Sequence, residues 1–95
     1  MVSQNVVRKI EKTGFKASGN GEWGFEIPEI GGAQIIDESG STRDKMYGFG
    51  GKCYGIYAWD GNDRLINEKE TIVYGTLNDA KSAARSILVN GLNGD

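Results

Sequence analysis

Residues 15–27 read FKASGNGEWGFEI. In the second half, Trp23, Phe25 and Ile27 alternate with Glu22, Gly24 and Glu26. A period of two is the mark of a strand with one buried face and one solvated face. Gly19-Asn20-Gly21 is turn chemistry, so residues 15–18 and 22–27 are expected to form a hairpin. Pro28 has no amide donor and ends the strand or marks an edge. Three large apolar groups on one face need a covering layer, and the rest of the chain must supply it.

Two segments can do so. Residues 76–92 start with Thr76, a good N-cap, followed by Asp79 three residues on, as in a capping box. Leu77, Ala80, Ala84, Ile87 and Leu88 recur at helical spacing, with Lys81 and Arg85 expected on the outer side. Asn90-Gly91-Leu92 reads as a glycine stop followed by an apolar residue. At the other end, Ser3 can cap a helix over residues 3–12, with Val6, Val7 and Ile10 on one stripe and Gly14 ending it.

Between these helices lie more strands. Residues 33–37 form a short one around Ile35 and Ile36. Residues 52–59 and 64–74 form a second hairpin, with Asp60-Gly61 at its turn. In its first strand, Cys53, Gly55, Tyr57 and Trp59 share one face, and Tyr54, Ile56 and Ala58 the other. Both faces are apolar, which places this strand centrally. Residues 38–51, ESGSTRDKMYGFGG, have no periodicity and read as a long loop. The expected fold is α+β: an antiparallel sheet of four to five strands, with an N-terminal and a C-terminal helix on one face. A length of 95 residues fits one small domain, 1–95.

Composition narrows function by exclusion. Hydrophobic residues make up 38% and charged residues 25%, too apolar for disorder and too polar for a membrane protein. The first residues, MVSQNVVRKI, lack the apolar core of a signal peptide, so a cytoplasmic location is expected. There is no histidine, and Cys53 is the single cysteine. That removes the commonest general base, internal disulfides and cysteine-based zinc sites, and no metal or cofactor is expected. Cys53 on a central strand is expected to be a buried, inert thiol. Gly48 to Lys52 resembles a phosphate loop in composition, but Met46 stands where the first glycine should be and Cys53 follows the lysine. Asp60 to Asp63 lacks the spacing of a calcium loop. Nothing in so short a chain promises a deep substrate pocket, so no enzymatic activity is expected.

Charge is unevenly spread. Residues 1–21 carry four basic residues and one acidic, a net of +3, whereas residues 22–44 carry one basic and six acidic, a net of −5. The expected function is therefore a small non-enzymatic binding or inhibitor protein that acts on a protein partner. Glu22, Glu26, Glu29, Asp37 and Glu38 would meet a basic, nucleic-acid-handling surface, and Tyr47 and Phe49 would anchor it. Phage and mobile-element accessory proteins of the anti-CRISPR or anti-restriction style work in this way. Tyr57, Trp59 and Tyr74 near the ends of the second hairpin are further aromatic candidates. One alternative is a nucleic-acid-binding domain using Arg8, Lys9, Lys12 and Lys16, although a pI of about 5.1 argues against tight binding. Another is a ligand-binding or weak hydrolase module built on the glycine-rich loop.

Two local resemblances bear on topology. The stretch TIVYGTLNDAKSAARSIL resembles the last strand and helix of double-stranded RNA-binding domains. That family holds phosphates with a basic run at the helix start, where this chain has Asn78 and Asp79, so no functional residue carries over. The stretch NVVRKIEKTGFKASGNGEWGFEIP is similar to the opening helix and hairpin of HicA-type toxin domains, which use a histidine that this chain lacks. Both resemblances imply fold alone.

Overall fold

The structure is a computed structural model that describes residues 2–39 and 52–94. Its elements are α1 (Gln4–Lys12), β1 (Lys16–Ala17), β2 (Glu22–Ile27), β3 (Gly31–Asp37), β4 (Cys53–Asp60), β5 (Thr71–Tyr74) and α2 (Leu77–Leu92). The strands form one sheet in the order β1-β2-β3-β4-β5, every neighbour antiparallel. The fold is α+β, as expected. No helix among the described residues is long and apolar enough to cross a membrane.

Register fixes the two faces of the sheet. Trp23 pairs with Ile35 and Ile35 with Ile56; Phe25 pairs with Ala33 and Ala33 with Ala58. Together with Tyr54, these side chains form the face on which the helices pack. Ala80, Ala84 and Leu88 of α2 and Ile10 of α1 are fully buried against it. Ile87 is only partly buried at the margin of this core.

Both helix starts are capped as the sequence predicts. Ser3 Oγ accepts from the Val6 amide at 3.3 Å. Thr76 Oγ1 accepts from Asp79 N at 3.1 Å, and Asp79 Oδ2 accepts from Thr76 N at 2.9 Å. The helix ends differ from expectation. Residue 13, in extended conformation, closes α1 before Gly14, with Thr13 Oγ1 donating to Lys9 O at 2.6 Å. Arg85 does not face outward. Its Nε donates to Ile10 O at 3.3 Å and its Nη2 to Thr13 O at 3.1 Å, while its guanidinium lies 5.0 Å from the centre of the Phe15 ring. A side chain of α2 thus satisfies the last carbonyls of α1. Gly91 does not stop α2, which runs on to Leu92. A Cβ at Gly91 would collide with the side chain of Ile66, so this glycine is a contact point between helix and loop.

The second hairpin also departs from the reading. The returning strand is only Thr71–Tyr74. A tight turn does form at Asp60-Gly61, as expected: Asp63 N donates to Asp60 O at 3.0 Å and Asp60 N to Arg64 O at 2.9 Å. Asp60 Oδ1 also accepts from Asn62 N at 2.8 Å and Arg64 N at 3.1 Å. An isolated bridge joins Trp59 to Leu65. Beyond it, the side chain of Asn67 takes the place of a strand. Its Oδ1 accepts from Ala58 N at 2.9 Å, and its Nδ2 donates to Ile56 O at 2.8 Å and Lys69 O at 3.0 Å. Strand β3 starts two residues earlier than expected, at Gly31, and β1 is only two residues long.

Candidate functional site

The face of the sheet away from the helices carries the second set of side chains, in rows set by register. One row is Glu26, Gly32, Trp59 and Leu65; the next is Lys16, Gly24, Gln34 and Tyr57; a third is Glu22, Ile36, Gly55 and Ile72. Leu65 is 59% exposed beside Trp59.

Two glycines shape this face. At Gly32, a Cβ would lie 2.7 Å from Trp59 Cζ2 and 2.9 Å from Cε2, so the indole rests on the bare backbone of β3. Gly24, two residues from Glu22 and Glu26, leaves bare backbone between Lys16 and Gln34 in the neighbouring row. The result is a groove of about 450 Å³ lined by Lys16, Glu22, Gly24, Glu26, Gln34 and Trp59. That volume lies within the range of small-ligand sites. Glu22 Oε1 accepts from Gln34 Nε2 at 2.9 Å, which fixes its carboxylate over the groove.

The expected acidic cluster is only partly assembled. Glu22, Glu26 and Glu38 belong to the open face. Asp37 alternates onto the helix side at the end of β3, where its backbone amide donates to Gly21 O at 2.8 Å. Glu29 sits in the turn after β2, with φ 70°, at the opposite end of the strands. Six-residue strands rise about 3.3 Å per residue, so Glu29 and Asp37 stand on the order of 20 Å apart. The five carboxylates therefore do not share one region. Tyr47 and Phe49 lie outside the described residues.

Local chemistry differs among these groups. Hydrogen bonds from the Ser39 hydroxyl and amide hold the Asp37 carboxyl below its usual value, against a small desolvation, with Lys52 adding attraction. Ser39 N lies 2.9 Å from Asp37 Oδ1. Glu38 turns over Gly55, where a Cβ would collide with carboxylate oxygens of both Glu38 and Glu70. Glu38 Oε2 is buried there without a hydrogen-bond partner. Among the described residues, no three His, Cys, Asp or Glu side chains are placed to hold a metal ion. Cys53 is fully buried.

The basic residues divide as well. Arg8, Lys9 and Lys12 are exposed on α1, which packs on the helix side, whereas Lys16 is on the open face. The groove itself escaped sequence reading because it depends on register. That Gly32 lies beneath Trp59 is a fact of pairing across strands 27 positions apart. The available signal was a tryptophan sharing a strand face with Gly55, opposite a strand that begins Gly31-Gly32.

Comparison with known proteins gave no matching family model, no matching curated protein and no matching solved structure.

Proposed function

We propose that this chain is a small non-enzymatic binding protein that engages a basic surface of a protein partner through its open sheet face. The observation that carries this reading is the groove, with Glu22 and Glu26 on its rim and Trp59 along its side. Carboxylates of this kind steer and orient a basic partner, while a partly buried aromatic supplies contact area. A partner surface built for nucleic acid has the matching charge. The style is that of phage or mobile-element accessory inhibitors, working in the cytoplasm.

Two features favour binding over catalysis. Glu22 and Glu26 are four residues apart on an extended strand, so their Cα atoms are about 13 Å apart, wide for a carboxylate pair sharing one bond. The hydroxyl lining the groove, Ser18 Oγ, is engaged with the backbone: it donates to Glu22 O at 3.3 Å and accepts from Asn20 N at 3.3 Å. The separation of Lys16 from Arg8, Lys9 and Lys12 weighs against a continuous phosphate-binding track.

The test is an association-rate measurement against a lysine- and arginine-rich decapeptide between low and high salt. The parent should bind faster at low salt, and Glu22→Lys combined with Glu26→Lys should slow association several-fold. Glu29→Lys, at the far turn, should change little. Equal rates for parent and double variant, both confirmed folded by circular dichroism, would overturn the reading. So would tighter, salt-sensitive binding to duplex DNA or RNA.

A further inference from the structure

We infer that the groove is a seat for one arginine side chain of the partner. The inference rests on the acidic-face reading and adds the chemistry of the anchoring residue. The groove is flat-floored, because Gly24 places bare backbone beside Gln34. It is bounded by an indole that lies across Gly32. Glu26 is exposed in the same row as Trp59, and among the described residues its carboxylate makes no hydrogen bond or ion pair. Glu22 is held by Gln34 through one oxygen, Oε1.

A planar cation meets these features together. A guanidinium can lie along an indole and present its N–H fork to a carboxylate at the ring's edge. An ammonium is a compact, strongly hydrated point charge that gains less from a flat aromatic wall and a fork-shaped acceptor. The same residue chemistry already works inside this molecule, where Arg85 lies over Phe15 and donates to two carbonyls. Lys16 lines the groove with the opposite charge to its two glutamates, so it tempers the site. Removing that charge should strengthen binding.

The experiment is an NMR titration of the whole chain with a blocked Gly-Arg-Gly tripeptide, its lysine counterpart and its citrulline counterpart. Arginine should produce saturable shifts at the amides of Gly24, Gly32 and Gln34 and at the Trp59 indole N–H. The amides of Ala80, Ala84 and Leu88, buried on the helix face, should stay still. Affinity for lysine should be about fivefold weaker, and citrulline, which lacks the charge, should not saturate. Glu26→Gln should weaken arginine binding about fivefold and Lys16→Gln should tighten it about twofold, both at exposed positions where folding is preserved. Equal affinity for lysine with salt-sensitive binding overturns the arginine seat and leaves the acidic-face reading standing. Equal affinity for citrulline overturns the seat too. Failure of every cationic peptide to bind at the open face overturns both.

Discussion

Replacing Asn67 with alanine tests whether one side chain stands in for a missing strand. In the parent, Asn67 Oδ1 accepts from Ala58 N at 2.9 Å and Nδ2 donates to Ile56 O at 2.8 Å. Ile56 and Ala58 are fully buried in β4. Alanine leaves one donor and one acceptor of that strand without partners, each costing about 1–3 kcal/mol when water cannot reach it. Asn67 is itself only partly buried, so water recovers some of this, and a total of roughly 2–4 kcal/mol is expected. A chain of this size has about 5–14 kcal/mol in all. Urea unfolding followed by circular dichroism should show a lower midpoint at constant slope, and Tm should fall by roughly 10–25 °C. Asn67→Asp separates the two roles, because it keeps the acceptor for Ala58 N and turns an oxygen toward Ile56 O and Lys69 O. Those carbonyls favour the protonated carboxyl, so its folded pKa is raised above its unfolded value. Relative to the parent, the aspartate variant should then be least impaired at low pH and lose stability as pH rises through the folded pKa. A loss below about 0.5 kcal/mol for Asn67→Ala, within the range of ordinary surface changes, would refute the reasoning. So would an Asn67→Asp variant whose deficit relative to the parent is no smaller in acid than at neutral pH.

Arg85→Ala should cost about 2 kcal/mol, since it removes two charged donors from the end of α1 and a cation from the Phe15 ring; Arg85→Lys should restore less than half in denaturant melts. Gly91→Ala should destabilise despite a helix-propensity gain of about 1 kcal/mol, because Ile66 occupies the space; in an Ile66→Ala background the same change should become stabilising. Asp79 is held below its usual value by Thr76 hydrogen bonds, with the backbone bond the larger cause, so its contribution is complete above the unfolded pKa and is lost as pH falls through the lower folded one. Unfolding curves of the parent and Asp79→Ala should therefore differ at pH 7 and converge in acid.

The helix starts and the face of β2 were legible because their causes are local. Ser3, Thr76 and Asp79 act within one turn, and Trp23, Phe25 and Ile27 alternate within one strand. The features that escaped are held by distant partners. Gly91 has the chemistry of a helix stop, but its reason is Ile66 on a loop 25 residues earlier. Arg85 has the spacing of a solvent-facing residue, yet it reaches the carbonyls of a helix more than 70 residues away. Residues 64–70 follow the Asp60-Gly61 turn signal, which predicts a returning strand along their whole length. An asparagine side chain took over the pairing there, which period-two reading cannot detect. The acidic segment was visible as composition, but its division between the two faces and the two ends of the sheet followed from register.

The strand order that matches chain order has a consequence for how the molecule assembles. Each strand lies beside its predecessor, so β2 and β3 can close their short turn first and serve as a template for the next arrival. Such local steps cost little loop entropy, which favours fast early folding. Helix α2 contacts β3 and β4, so it can settle only once both are paired. The contact of α1 with α2 spans nearly the whole chain, and Arg85 adds to the burial of Ile10 in holding it. This closure is entropically the most demanding and belongs at the end of the route. The residue that caps α1 is therefore a latch on the finished protein, governing how readily the first helix lifts away.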